Sequence, residues 1–317
     1  MKKILTALLM TALVSGFAFA EGKQDSPEAS GPWTPQKVVE WVVTSSAGGG
    51  SSIFTQTITE IIKNEGLVDQ NIVINYKTDG GGAVGRRMVS TMKNEAHTLL
   101  TFNSGDLQPM VQMEGGDLDG LTPLAVMALD GQIILVNKNS EYKTINDIIN
   151  ALKNGKRMIM GGSKSDDEAI YNAMKKEVGG DMEYLRSDST GEALTQLLGG
   201  HVDMAIAKPA ASFDLVKSGE LLPVVAAGGS RFADPFDAPT FKELGYDIEF
   251  EIYRGIVGPA DMPAAAVEFW TEVFRKVSQS DSWKNDYISK FLLVSNFKGG
   301  DEARAYMQKF EDMYTGN

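Results

Sequence analysis

The chain has no cysteine in 317 residues and only two histidines, His97 and His201. Without thiols it can form no disulfide, thiolate metal site or cysteine nucleophile, and it offers no N-terminal cysteine for lipid attachment. A G-x-S-x-G elbow is missing too, so Ser-His-Asp chemistry has no support in the sequence. Ser163 and Ser165 flank Lys164 but lack the S-x-x-K spacing. His97 opens a strand-like run and His201 sits in a turn between Gly200 and Val202, so both read as structural. The acidic groups Asp166-Asp167-Glu168 and Asp117-Leu118-Asp119 lack the grammar of a calcium loop. They read as a solvated helix start and a solvated turn. No metal and no cofactor is expected, and an enzyme is the losing class.

Basic residues are also in short supply. Thirty Lys and Arg face 42 Asp and Glu, a formal charge of −12. Such a surface argues against nucleic acid or anionic lipid as a partner. It does not argue against a small anion, because a few local dipoles hold one regardless of net charge. Beyond the first twenty residues, no run approaches the ~20 apolar residues of a membrane-spanning helix.

Those first residues read as a signal peptide, 1–20. Lys2 and Lys3 precede the apolar run Ile4 to Val14, and Ala18-Phe19-Ala20 is a small-x-small cleavage site. A polar leader, 21–35, follows. The mature protein is expected outside the cytoplasm, periplasmic or otherwise, as a soluble chain. Its length exceeds a comfortable single core, which points to two domains.

The chain is organised around Val42-Val43-Thr44-Ser45-Ser46-Ala47-Gly48-Gly49-Gly50-Ser51-Ser52. An apolar strand, Val38 to Val43, leads into small residues, and Ile53 to Ile62 then follows helical spacing. Strand, glycine-rich turn and helix leave the first helical N–H groups unpaired at the mouth of a sheet, where they suit an anion. Packing of helix on strand is the plainer reading of the same loop. A second such unit joins strand Asn71–Tyr76 to Gly80-Gly81-Gly82-Ala83-Val84-Gly85. Its formal G-x-G-x-x-G is a weak dinucleotide signal, because it follows the second strand of an exported chain. Strand His97–Phe102 and the polar turn Asn103-Ser104-Gly105-Asp106 make a third. Further strands are read at Leu124–Leu129 and Gln132–Val136, and Thr144 caps a helix with Asp147 in its first turn.

The design repeats in the second half. Strands at 157–160, 182–186, 202–207 and 222–227 alternate with helices at 167–178, 192–198 and 213–219, joined by loops of small hydroxyl residues. The long strand-like stretch Ile248–Gly258 is the candidate return crossing. A helix from Pro263 through Val277 and two shorter helices then pack on the first lobe. The expectation is an α/β fold of two lobes facing a cleft.

Several ordered features resemble the substrate-binding receptors of tripartite tricarboxylate transporters, the Bug or TctC family. They are Trp33-Thr34-Pro35-Gln36-Lys37-Val38, Ala47-Gly48-Gly49-Gly50, Gly80 to Gly85, Leu197-Leu198-Gly199-Gly200-His201-Val202-Asp203, the Arg231 to Ala238 stretch, and Ala238-Pro239-Thr240-Phe241-Lys242-Glu243-Leu244-Gly245-Tyr246. The resemblance covers nearly the whole mature chain. It implies a periplasmic-binding-protein-like (Venus flytrap) fold, each lobe a mixed, mostly parallel sheet flanked by helices. Lobe 1 takes 36–126 plus 252–317 and lobe 2 takes 127–251, with the crossing strands near Ala125–Leu129 and Phe250–Ile256 as hinge. It further implies a monomer that captures a small organic carboxylate and delivers it to the subunits of a membrane permease, with a carboxylate sensor or an exported hydrolase as the alternatives. The grip comes from backbone amides and small hydroxyls rather than an arginine clamp. Carried over by position, the first lobe supplies Ser46, Ala47, Gly48, Gly49, Gly50, Ser51, Ser52, Gly80, Gly81 and Gly82, with Asn103 and Ser104. The second supplies the stretches Gly161 to Ser165 and Ser187 to Gly191, with Gly162, Ser163, Ser165, Ser187, Asp188, Ser189 and Thr190 as the named contacts.

The chain departs from the family where Thr-Asp commonly follows the three glycines; Ser51-Ser52 stands there instead. Gln56 replaces a common Arg, Tyr76-Lys77-Thr78-Asp79 replaces Asn-Arg-Pro-Gly, and Ser189 replaces a glycine. Without a carboxylate at Ser52 this loop loses an acceptor for a ligand ammonium and a repulsion against a ligand carboxylate, so the expected ligand is a carboxylate without a recognised ammonium, such as a di- or tricarboxylate.

Overall fold

The computed structural model describes residues 32–316. The expected signal peptide and most of the expected leader lie outside the described residues. The chain opens with three strand–helix repeats: β1 (Val39–Val43), α1 (Gly50–Asn64), β2 (Ile72–Tyr76), α2 (Ala83–Ser90), β3 (Thr98–Asn103) and α3 (Ser104–Gln112). β4 (Leu121–Asp130) then leads to a second series: β5 (Ile133–Asn137), α4 (Ile145–Lys153), β6 (Met158–Gly162), α5 (Ser165–Val178), β7 (Met182–Arg186), α6 (Thr190–Leu198), β8 (Met204–Ala207), α7 (Pro209–Lys217) and β9 (Leu221–Ala226). The last part holds β10 (Ile252–Pro259), α8 (Ala264–Gln279), a wide π-type turn over Trp283–Ser289, β11 (Val294–Gly299) and α9 (Gly300–Thr315).

These strands form two sheets, in the orders β11-β4-β10-β3-β1-β2 and β7-β6-β8-β5-β9. In the first, β2, β1 and β3 are parallel, and β10, β4 and β11 are added antiparallel. In the second, β7, β6 and β8 are parallel, and β5 runs antiparallel to β8 and β9. Each sheet is mixed and each is the centre of one lobe. The parallel strands align their carboxyl ends, so the strand-to-helix loops open on one edge of each sheet.

Helices cover both faces of both sheets, which is why the central strands read as unbroken apolar runs. In β1, Trp41 faces Phe54, Trp270 and Phe274, while Val42 faces Leu100, Phe102 and Tyr253 on the other side. The second sheet likewise separates a core around Ile148, Met160 and Phe241 from one around Leu135, Leu197 and Phe236. The α4 start is a capping box, with Thr144 Oγ1 accepting from Asp147 N and Asp147 Oδ2 accepting from Thr144 N.

Three expectations need correction. Asn103-Ser104-Gly105-Asp106 is a helix start rather than a turn. Asn103 caps α3 through Gly105 N at 2.9 Å, and Asp106 returns a bond to Asn103 N at 3.2 Å. The Asn-x-x-Asp spacing carried that signal. Secondly, the chain does not end in two short helices. Val294–Gly299 adds an edge strand to β4, and α9 is 16 residues long. The strand was hidden because its residues are half-buried or exposed and show no apolar alternation. Finally, 248–251 precede β10 as irregular chain, with Ile248 buried in the second lobe.

Trp270 joins α8 to the first sheet. It is fully buried, stacks on Phe274 and donates from Nε1 to Ala96 O at 3.0 Å. Trp270→Ala is expected to cost about 3–5 kcal/mol, read as a lower urea midpoint.

Candidate functional site

Between the loop edges of the two sheets lies a small cavity of about 20 Å³, room for a single water-sized group. It is lined by Ser45, Gly49, Gly50, Ser51, Asn103 and Arg254 from the first lobe. Ser163, Lys164, Asp166, Ser189, Thr190 and Lys208 line it from the second.

Five of these residues are helix N-caps: Gly49 of α1, Asn103 of α3, Lys164 of α5, Ser189 of α6 and Lys208 of α7. Five positive helix ends therefore converge on one point. Asn103 and Ser189 cap their helices through side-chain oxygens, to Gly105 N and Glu192 N. Gly49 has no side chain to do this, and the first intrahelical bond of α1 is Ile53 N to Gly49 O. The amides of Gly50, Ser51 and Ser52 thus remain available at the cleft.

Charged side chains surround this point in compensated sets. Lys164 Nζ reaches across from the second lobe to Asp106 Oδ1 at 2.5 Å and Thr44 Oγ1 at 2.9 Å. Asp106 also receives Thr44 Oγ1 at 2.7 Å and Arg86 Nη1 at 3.2 Å. Lys208 Nζ bonds Asp166 Oδ2 at 2.9 Å and Asp167 Oδ1 at 2.5 Å, and Gln132 Nε2 donates to the same two carboxylates. Arg254 Nε donates to Asp130 Oδ2 at 2.9 Å, and its Nη2 pairs with the same oxygen. A Cβ on Gly50 would come within 2.5 Å of the Arg254 guanidinium, so α1 approaches that group only because Gly50 has no side chain.

Burial pushes the Asp106 carboxyl up, but Lys164 and Arg86 outweigh it and hold Asp106 below the usual range. Burial holds Lys164 down despite Asp106, because the Arg86 guanidinium also opposes its charge. Burial raises Asp166 in spite of Lys208. Lys208 goes up, since its two carboxylates outweigh burial.

The expected residues divide accordingly. Gly49, Gly50, Ser51, Asn103, Ser163, Ser189 and Thr190 line the cavity. Ser52 is buried behind it on Tyr76 Oη at 2.8 Å. Ser46 N meets Asp188 O across the cleft at 3.4 Å, while Ala47, Gly48 and the Asp188 side chain are exposed at the rim. Ser104, Gly162, Ser165 and Ser187 are buried close by without lining the cavity. Gly80, Gly81 and Gly82 do not line it either. All three have positive φ, and Gly82 packs so tightly on Thr44 that a Cβ would come within 2.7 Å of its side chain. At Gly82 the loop packs against Thr44, one residue beyond β1.

Sequence reasoning missed Ser45, Asp166, Lys208 and Arg254, and Lys164 fell inside the stretch Gly161 to Ser165 without being singled out. Asp166 and Asp167, read as a solvated helix start, are 7% and 0% exposed. The Asp-Asp pair is buried because Lys208, 41 residues on, and Gln132 meet it there. No local pattern announces that meeting. Lys208-Pro209, with Pro at a helix start, was the one available signal. Among the described residues no cluster of His, Cys, Asp and Glu could hold a metal ion.

Asp106 has a clear pH signature. Its folded pKa is depressed, so its contribution is present above the unfolded value of about 3.9 and is lost as pH falls through the lower folded value. Asp106→Asn strands Lys164 and Arg86 and is expected to cost about 3–5 kcal/mol at neutral pH. It should also flatten the acid limb of urea stability measured between about pH 2.5 and 7.

The model for the tripartite tricarboxylate transporter family receptor matches residues 55–299. A UPF0065 protein of Bordetella bronchiseptica is 20% identical over 89% of this chain and 83% of its own length. Two solved proteins of similar fold come from Rhodopseudomonas palustris. One was solved with adipate, with a TM-score of 0.78 and 19% identity over 89% of this chain and 95% of the other. The other, MatC with bound malate, has a TM-score of 0.77 and 18% identity over 88% of this chain and 99% of its own. With a family match spanning most of the sequence and two mixed α/β lobes meeting at a polar cavity, this chain belongs to the tripartite tricarboxylate transporter family of receptors.

Proposed function

We propose that this protein is an extracytoplasmic solute-binding receptor that captures a small organic carboxylate between its lobes and hands it to a membrane permease. The observation that carries this reading is the convergence of five helix N-termini on one buried cavity, with the α1 amides left free by a glycine cap. Such a site favours an anion through fixed dipoles that need no reorganisation on binding. The proteins of like fold solved with adipate and malate support the ligand class. The amino-terminal pattern of Lys2, Lys3 and the Ala18-Phe19-Ala20 site supports export.

The carboxylate sits at the start of α1, on the Gly50, Ser51 and Ser52 amides and the Ser45 hydroxyl. Ser163, Ser189 and Thr190 approach it from the other lobe. Contacts made to both lobes at once exist only when the cleft is shut, so the ligand shifts the population toward closure. The lobes take 36–126 plus 252–317 and 127–251, and motion occurs around the crossing strands β4 and β10. The receptor acts as a monomer.

Calorimetric titration with malate, succinate and adipate should show saturable binding of at least one acid. Scattering should show compaction with the same acid. Absence of both across the three would remove the carboxylate reading. Gly49→Val is a sharper probe. Gly49 has φ −82° and ψ 164°, which Val adopts without strain, yet a Cβ there meets Ser189 Cβ at 3.0 Å across the cleft. Binding should weaken by about 10- to 100-fold while circular dichroism stays unchanged.

A further inference from the structure

The register of the first sheet brings one cation to the start of α1. β10 pairs Arg254 with Asn103 of β3, and Asn103 Nδ2 donates to Ser51 Oγ in the first turn of α1 at 3.1 Å. Residues directly opposite on paired strands share a face, so the Arg254 side chain stands beside that turn. Its guanidinium lies against Gly50, where a Cβ would come within 2.5 Å of Nη2 and 3.3 Å of Nη1. Both Gly50 and Arg254 line the cavity, and Arg254 is 2% exposed.

Asp130 uses only part of this guanidinium. Nε and Nη2 both donate to Asp130 Oδ2, which ties down one edge of the fork. Nη1 has no hydrogen-bond partner among the described residues. Ser45 Oγ and Asp130 Oδ1 are sealed off without a partner, whereas Nη1 is not among the sealed atoms and keeps accessible surface. It is therefore a free donor on a side chain that lines the cavity. The other two cations of the lining are held elsewhere, Lys164 by Asp106 and Thr44 and Lys208 by Asp166 and Asp167.

A guanidinium in this place is at the wrong end of a helix. The start of α1 carries a partial positive charge, and a cation is favoured at the other end. Acidic residues in the first turn temper α3, α5 and α6, but α1 has none. The arrangement becomes favourable when an anion lies between the two, with the α1 amides on one side and Nη1 on the other.

Resting on the carboxylate reading, we propose that Arg254 is a further ligand-binding residue: Nη1 donates to the carboxylate that the α1 amides hold. The grip then includes a charge-assisted bond from a side chain that Asp130 positions and the bare Gly50 admits. This differs from the grip of amides and hydroxyls alone that the family resemblance implies.

Malate, succinate and adipate, titrated calorimetrically into the wild-type protein, Arg254→Lys and Gly50→Ala, test this. Lysine keeps the charge and can meet Asp130 with its single ammonium, but it has no further nitrogen to turn toward α1. Each acid that binds the wild type should bind folded Arg254→Lys about 10- to 100-fold more weakly. Gly50→Ala, whose Cβ displaces the guanidinium, should weaken binding by a similar factor. With isotope-labelled arginine, the Nη resonances of Arg254 in the wild type should move on saturation with the same acid. Affinity in folded Arg254→Lys or Gly50→Ala within about threefold of the wild type would overturn the inference and leave the carboxylate reading standing. Nη resonances that stay in place while an acid binds would do the same, since they mark Arg254 as a structural partner of Asp130 only. Should Arg254→Lys fail to fold, the wild-type resonances and Gly50→Ala decide. If none of the three acids binds, the carboxylate reading falls and this inference falls with it.

Discussion

The structure depends on one electrostatic arrangement: helix N-termini from both lobes aimed at the same small volume. Each helix end carries roughly half a positive charge on amides that the helix itself cannot satisfy. Bringing α1 and α3 from one sheet against α5, α6 and α7 from the other concentrates that charge in a cavity of about 20 Å³. The parallel halves of the two sheets exist, in this sense, to put their loop edges face to face. The hydrophobic cores on both sides of each sheet hold those edges rigid.

Such a concentration would be costly by itself, and acidic residues temper it. Asp106 lies in the first turn of α3, and Asp166 and Asp167 lie in the first turn of α5. Each carboxylate offsets a dipole and then binds a buried cation. One of these pairs, Lys164 with Asp106, joins the two lobes directly. Breaking a buried pair costs far more than forming it gains, so such a link fixes geometry rather than adding stability. The cavity therefore combines a neutralised wall of ion pairs with a positive focus made of backbone, and the two tasks fall to different atoms.

Much of the fold was legible in the sequence because the relevant signals are local. Val38–Val43 followed by glycines and an amphipathic helix, and Thr144 with Asp147, are patterns with a short reach. Of the site, the glycine and serine loops could be read for the same reason: Gly49, Gly50, Ser51 and Ser189 lie at turns that sequence punctuates. Lys164, Asp166, Lys208 and Arg254 could not. Their burial depends on partners at 58, 42, 41 and 124 positions' separation, as in Lys164 with Asp106 and Arg254 with Asp130. Charged residues look solvated until the chain brings an opposite charge to them. β11 was hidden for a different reason, since an edge strand buries little and so shows no alternation.

The Arg254–Asp130 pair carries one more consequence. Asp130 is the last residue of β4, where the chain leaves the first sheet, and Arg254 lies just inside β10, where it comes back. The clasp pins exit to entrance. Two residues beyond it, Gln132 is already locked onto Asp166 and Asp167 in the second lobe. That leaves Gly131, with the Phe232 ring standing where a side chain would go, as the only residue of the outgoing chain between the two clasps.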